Sequence, residues 1–199
     1  MKKYLFAILL LTLLLTGCAS ETSAADAPEA ETPGVSTPSE TAPSAQPVSV
    51  SGGAITLGAD VTAYTLENAV YDSIKFEADD VVLTLAGTSA LSGKLKAEGS
   101  LTINGDGALT INSGEDDCIN VNGDVTINGG TLTLSTDDDA IHTDANLTVN
   151  GGTITVLRCY EGLEAETVTI TGGDIDVVST DDGINAAAGT SEETETNPF

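Results

Sequence analysis

The chain has 199 residues, of which 31 are acidic and 6 basic, for a formal charge of −25. Such an excess of negative charge makes nucleic acid and anionic lipid poor partners. Aromatic residues supply only 4% of the sequence, which fits a core of aliphatic side chains that does not need aromatic bulk.

Residues 1–18 join Lys2 and Lys3 to an apolar run from Tyr4 to Leu15, too short to remain across a bilayer, and read as a signal peptide. The run ends in Leu15-Thr16-Gly17-Cys18, which resembles the lipobox of bacterial lipoproteins. That resemblance makes Cys18 an acylated N-terminus and places the mature protein outside the cytoplasm, at the cell membrane and surface, with its acyl chains as the only membrane contact. The alternative is a plain secretory signal with an incidental cysteine. Residues 19–47 are Ala, Ser, Thr, Pro and Glu with hardly a large apolar side chain, a composition that cannot offset chain entropy and reads as a disordered tether. As a flexible coil it would reach about 30 Å.

From Val48 to residue 188 the text changes to short alternating runs broken by Gly, Asn and Asp, the pattern of strands and turns. Three runs open on Gly-Gly, at Gly129-Gly130, Gly151-Gly152 and Gly172-Gly173, and a second column keeps the same period at Asp116-Asp117-Cys118-Ile119, Asp138-Asp139-Ala140-Ile141, Tyr160-Glu161-Gly162-Leu163 and Asp181-Asp182-Gly183-Ile184. A fixed period near 22 residues is the signature of a solenoid, in which equivalent residues stack above one another.

Each coil offers three short strands, for example Thr131 to Leu134, Ala140 to Thr143 and Leu147 to Val149, and about six coils fit from Val48 onward. The expected fold is therefore all-β, a parallel β-helix. Alternation puts one row of each strand inside. Interior ladders are predicted along Leu109, Leu132, Ile154 and Ile175; along Ile111, Leu134, Val156 and Val177; along Ile119, Ile141, Leu163 and Ile184; and along Val125, Leu147 and Val168.

The earlier strands, Ile74 to Phe76, Val81 to Leu85, Leu95 to Ala97 and Leu101 to Ile103, drift in spacing as expected of a capping end. At the other end, the strand Gly183 to Ala186 runs into a polar tail, residues 189–199, with no cap signal. An uncovered last coil exposes strand edges, so the chain is expected either to be cut within a longer solenoid or to be covered there by a partner. Cys118 and Cys159 fall two coils apart, at least about 9 Å at the spacing of stacked strands, and are expected to be buried free thiols.

The runs Cys159-Tyr160-Glu161-Gly162-Leu163-Glu164 and Ser179-Thr180-Asp181-Asp182-Gly183-Ile184-Asn185-Ala186, with Val168 to Ile175 between them, resemble a family of bacterial carbohydrate-binding β-helix proteins, often surface lipoproteins. The resemblance covers about residues 55–188. It implies a right-handed parallel β-helix similar to that of pectate lyases, bound calcium, and binding of cellulose-like or polygalacturonate polysaccharide. The chain departs from the pattern at Cys118 and Ala140, where the family carries Gly after the paired acids, and lacks the C-terminal coils.

Asp117, Asp139, Glu161 and Asp182 occupy one position of successive coils, with Asp116, Asp138 and Asp181 beside them. Two bare carboxylates at the coil spacing repel by about 3.5 kcal/mol at an effective dielectric of about 20, so they either take up protons or recruit a cation. A hard cation with many oxygen ligands suits them, and Ca2+ suits them better than magnesium. Asn120, Asn185 or Asp144 could complete its shell. Three readings stand side by side: acids that only face water, Ca2+ that clips coils together, and Ca2+ that also touches a ligand. His142 is the only histidine; it gives a zinc site or a His-based triad nothing to build on and is expected to face outward.

Tyr160, Arg158, Glu164 and Asn185, on or beside the same motifs, are the candidate ligand contacts. The functional expectation is a non-catalytic, calcium-dependent carbohydrate-binding module that meets an acidic or plant cell-wall polysaccharide. One alternative is a lyase-like enzyme with Arg158 as its sole plausible base. Another is a calcium-rigidified adhesive spacer.

Overall fold

The computed structural model describes residues 52–187. The expected signal peptide with Cys18, the expected tether and the polar C-terminal residues lie outside the described residues. Among the described residues all regular structure is strand, nineteen in number, arranged as three parallel sheets through which the chain passes in turn. The first sheet has seven strands, from Ala54–Leu57 to Ile184–Ala186. The second has six, from Ala63–Glu67 to Thr167–Ile170, and the third six, from Val70–Tyr71 to Asp174–Ser179. Every strand pairs with the strand one coil away, which makes a β-solenoid of about six turns.

All four predicted ladders pair in register, but their last rungs are not interior, because no further coil among the described residues covers them: Ile184 is exposed and Val168, Ile175 and Val177 are half-buried. Leu132 pairs with Leu109 below and Ile154 above, and Ile154 with Ile175. Ile141 pairs with Ile119 and Leu163, and Leu163 with Ile184. The rows are fully buried through the middle coils, Leu109, Ile111, Leu132, Leu134 and Ile141 being among residues with no exposure. Burying an aliphatic side chain stabilises by about 1.5–3 kcal/mol, and here each such side chain is also stacked on its own kind. The coil length is 22 residues between Ile119 and Ile141 and again between Ile141 and Leu163. It is 19 between Ala54 and Ser73 and 24 between Leu95 and Ile119, the drift predicted for the early coils.

The early coils fill their wider variation with rings. Tyr64 and Phe76 meet edge to face with centroids 6.0 Å apart, and the Tyr64 and Tyr71 hydroxyls lie 3.5 Å from each other. Burial, then the neighbouring Tyr71 hydroxyl, pushes the Tyr64 phenol well above its ordinary value.

The Gly-Gly columns have two separate causes. At the first glycine of each pair a Cβ would press on the coil below: 2.7 Å from the Gly105 carbonyl oxygen at Gly129, 2.9 Å from that of Asn128 at Gly151, and 2.5 Å from that of Asn150 at Gly172. The second glycine takes a left-handed backbone, with φ of 86° at Gly130, 89° at Gly152 and 93° at Gly173. Just before the first two pairs, Asn128 donates its side-chain NH2 to Asn104 Oδ1 in the coil below and Asn150 to Asn128 Oδ1, each at 2.9 Å.

Cys118 and Ala140, which stand where the family carries glycine, are fully buried and need no left-handed conformation. Gly162 differs, because a Cβ there would lie 2.2 Å from the Gly183 carbonyl oxygen. Cys118 and Cys159 are both buried and free, as predicted, and burial raises both thiols above their ordinary value. In the last coil Ile170 and Ile184 are exposed and, with Ile175 and Val177, line an apolar recess of 570 Å³.

Candidate functional site

The acid column precedes the strands of the first sheet, and main-chain hydrogen bonds set it in register: Cys118 N donates to Asp139 O, Ala140 N to Glu161 O, and Gly162 N to Asp182 O. Each carboxylate then reaches for the next coil. Asp117 Oδ1 accepts from the Asp139 amide at 3.3 Å, and Asp139 Oδ1 from the Glu161 amide at 3.2 Å. Part of the predicted repulsion is thus met by backbone donors.

A second column faces the first. Asn120, His142, Glu164 and Asn185 are paired one above another on the outer side of the first sheet, each three residues after an acid. The chemistry of that column decides how the acids turn. Asn120 Nδ2 donates to Asp117 Oδ2 at 2.6 Å. Glu164 has no hydrogen to offer Glu161, which instead accepts twice from Asn185 Nδ2 of the next coil, at 3.1 and 2.9 Å. Released from that contact, Glu164 turns to the coil below, where its Oε2 lies 2.5 Å from His142 Nδ1.

Two groups of ligand-type atoms result, each with its members within 4.8 Å of one another: Asp117, Asp138 and Asp139, and Asp139, His142 and Glu164. Burial, then the charges of Asp117 and Asp116, holds the Asp138 carboxyl above the usual range. Burial, followed by the hydrogen bond and negative charge of Glu164, pushes Asp139 up to about 7. Burial acts upward on Glu164 too, but hydrogen bonds from Asp139 and His142 outweigh it and leave its carboxyl below the ordinary value. On His142 burial favours the neutral ring, and the hydrogen bonds to Glu164 and Asp144 overcome it and raise its pKa.

The remaining predicted residues are placed around this centre. Asp116 turns away to Lys94 Nζ at 2.7 Å. Arg158 forms an ion pair with Asp137. Tyr160 donates its hydroxyl to Asp181, which raises the phenol's pKa. Asp182 is exposed, and its backbone carbonyl takes the Gly162 amide. Asp144 lies 3.3 Å from His142 Nε2, and a recess of 420 Å³ opens beside His142, Asp144, Glu164 and Glu166.

His142 faces outward as expected, between the buried Ile141 and Thr143, yet it sits among three carboxylates. Sequence reading passed over it because it is the sole histidine. The signal that could have found it is its place in the column Asn120, His142, Glu164, Asn185. A local irregularity was also hidden: the register slips between Val156 and Cys159, which turns Leu157 and Arg158 both outward. Tyr64, Tyr71 and Phe76 are spent on the core, and Tyr160, 49% accessible, is the exposed ring among the described residues.

For the oxygen-only group, no lysine or arginine among the described residues forms an ion pair with Asp117, Asp138 or Asp139, since Lys94 and Arg158 are engaged by their sequence neighbours Asp116 and Asp137. A hard cation fits such a donor set. No curated protein and no solved structure matches the chain. A family description, carbohydrate-binding domain-containing protein, matches residues 34–196. The chain, a parallel β-solenoid with a charged column along one flank, belongs to that carbohydrate-binding domain family.

Proposed function

We propose that this protein is a non-catalytic binding module that uses Ca2+ at Asp117, Asp138 and Asp139 to engage an acidic polysaccharide of the polygalacturonate type. The observation that carries this reading is the convergence of three carboxylates within 4.8 Å, among which only Asp139 has a basic neighbour, His142, and none has a lysine or arginine among the described residues. A strongly negative surface repels a polyanion, and a divalent cation shared between protein and sugar carboxylates reverses the sign of the contact. Scarcity of exposed rings among the described residues points the same way, because stacking there offers a neutral glycan little more than Tyr160.

The non-catalytic reading is supported by the state of the basic residues. Uronate elimination needs a free base near the acidified proton, and Arg158 is held by Asp137. In this proposal the Leu15-Thr16-Gly17-Cys18 run anchors the module to the outer face of the membrane through lipid.

The test is retention on immobilised polygalacturonate in calcium and in excess chelator, with ultraviolet detection of unsaturated product alongside. Binding that appears only with calcium, without product, is expected. Retention that persists in chelator would refute the bridge. Product formation would favour the lyase, and calcium uptake without any glycan binding would favour the spacer.

A further inference from the structure

The group Asp139, His142 and Glu164 differs in kind from the acids beside it. Its members are not splayed into solvent: their side chains are 12%, 28% and 26% accessible. Their geometry is that of a ring presented to two carboxylates by a third. His142 Nδ1 lies 2.5 Å from Glu164 Oε2 and 3.7 Å from Asp139 Oδ2, while Nε2, on the far side of the ring, lies 3.3 Å from Asp144 Oδ1. A metal-bound histidine almost always gives its other N–H to a carboxylate, which fixes the tautomer and turns the free lone pair to the ion. With Nε2–H donated to Asp144, the lone pair of Nδ1 points between Asp139 and Glu164.

One nitrogen and two carboxylate oxygens make a set that calcium does not seek and a borderline d-block ion does. Three protein ligands leave further positions of such an ion open to water or to an incoming oxygen. We propose that Asp139, His142 and Glu164 form a divalent transition-metal site of the zinc class, separate in preference from the oxygen-only group and oriented by Asp144 from behind. The ion takes the place of the proton between Nδ1 and Glu164, so binding releases a proton. The site shares Asp139 with the oxygen-only group, and its preference for zinc rests on the nitrogen of His142, which that group lacks.

The experiment is Zn2+ titration of the full chain against a chromophoric chelator, in 1 mM calcium chosen as a fixed background of about that level. Tight uptake is expected, weakened at least about tenfold in His142→Ala and in Glu164→Gln, and unchanged in Asp116→Asn, whose carboxylate is turned to Lys94. Because His142 is the sole histidine, 15N spectra of its imidazole in the unmutated chain report the same event without a variant. The Nδ1 resonance should move on zinc addition while Nε2 keeps its proton. Zinc uptake that survives His142→Ala, or that leaves Nδ1 unmoved, would overturn the assignment.

Discussion

The early and later coils share one scaffold and differ in how negative charge on the first-sheet flank is met. In the early coils the lysines do it: Lys75 Nζ lies 2.9 Å from Glu98 and 3.6 Å from Glu77, and Lys94 2.7 Å from Asp116. One coil later the outward column changes from Lys75 and Lys96 to Asn120, His142 and Glu164, and the acids facing it lose their cations. Glu98 is pulled below the ordinary carboxylate range by its hydrogen bond to Lys75, whereas Asp138 and Asp139 are pushed above it. The same repeat thus neutralises itself at one end and accumulates unmatched charge toward the other. A rigid stack of columns converts a change of residue type along the sequence into a gradient along a surface.

The largest effect should come from the ring-filled early core. Phe76→Ala removes a fully buried ring packed against Tyr64 and is expected to cost about 3–5 kcal/mol in urea unfolding. A loss below about 1 kcal/mol would mean that the first coils do not share the cooperative core of the later ones.

Calcium should divide the two regions next. Calcium at about a hundred times its dissociation constant is expected to stabilise the chain by about 2.7 kcal/mol, seen as a rise in melting temperature. Asp138→Asn should abolish that rise, and Glu98→Gln in the lysine-paired region should leave it intact. Equal responses in the two variants would erase the distinction.

Acid titration in chelator sharpens the contrast further. Asp139 is held at about 7 against an ordinary 3.8, so between those values the folded chain keeps a proton that the unfolded chain has released. Its contribution is greatest below pH 3.8 and is lost as pH rises through about 7. His142, also raised, acts in the same direction above its ordinary 6.5, and Glu164, lowered, acts in the opposite direction in acid. The urea midpoint should therefore fall between about pH 4 and 7, and Asp139→Asn should flatten most of that fall. A midpoint that climbs through this window in chelator would contradict the burial of Asp139.

The smallest effect is expected for Lys94→Ala. Its ion pair with Asp116 is exposed, worth less than about 1 kcal/mol. Loss of the lysine extends the unmatched acids by one and should enlarge the thermal response to calcium. A diminished response would show that Lys94 helps to position the acids rather than to shield them.

Much of this architecture could be read along the chain. The period, the aliphatic ladders, the glycine pairs and the free buried thiols all follow from a one-dimensional repeat, because a solenoid maps equal positions onto equal places. Leu132 over Leu109 and Asp139 over Asp117 needed only counting. The early coils were harder, since runs such as Ala63–Glu67 and Thr88–Leu91 lie where spacing has drifted and no turn column marks them.

What only the tertiary structure decided is the direction each polar side chain takes. Period fixes the column of a carboxylate, while its rotamer answers to whatever stands on the next rung. Asp116 goes to Lys94, Glu161 to Asn185 and Glu164 to His142, each partner lying more than twenty residues away in sequence and one coil away in space. The aliphatic rows were legible because hydrophobic burial is non-directional and follows position alone. Hydrogen bonds and ion pairs are directional and pairwise, so the metal-ligand groups came into view only once neighbouring coils were stacked.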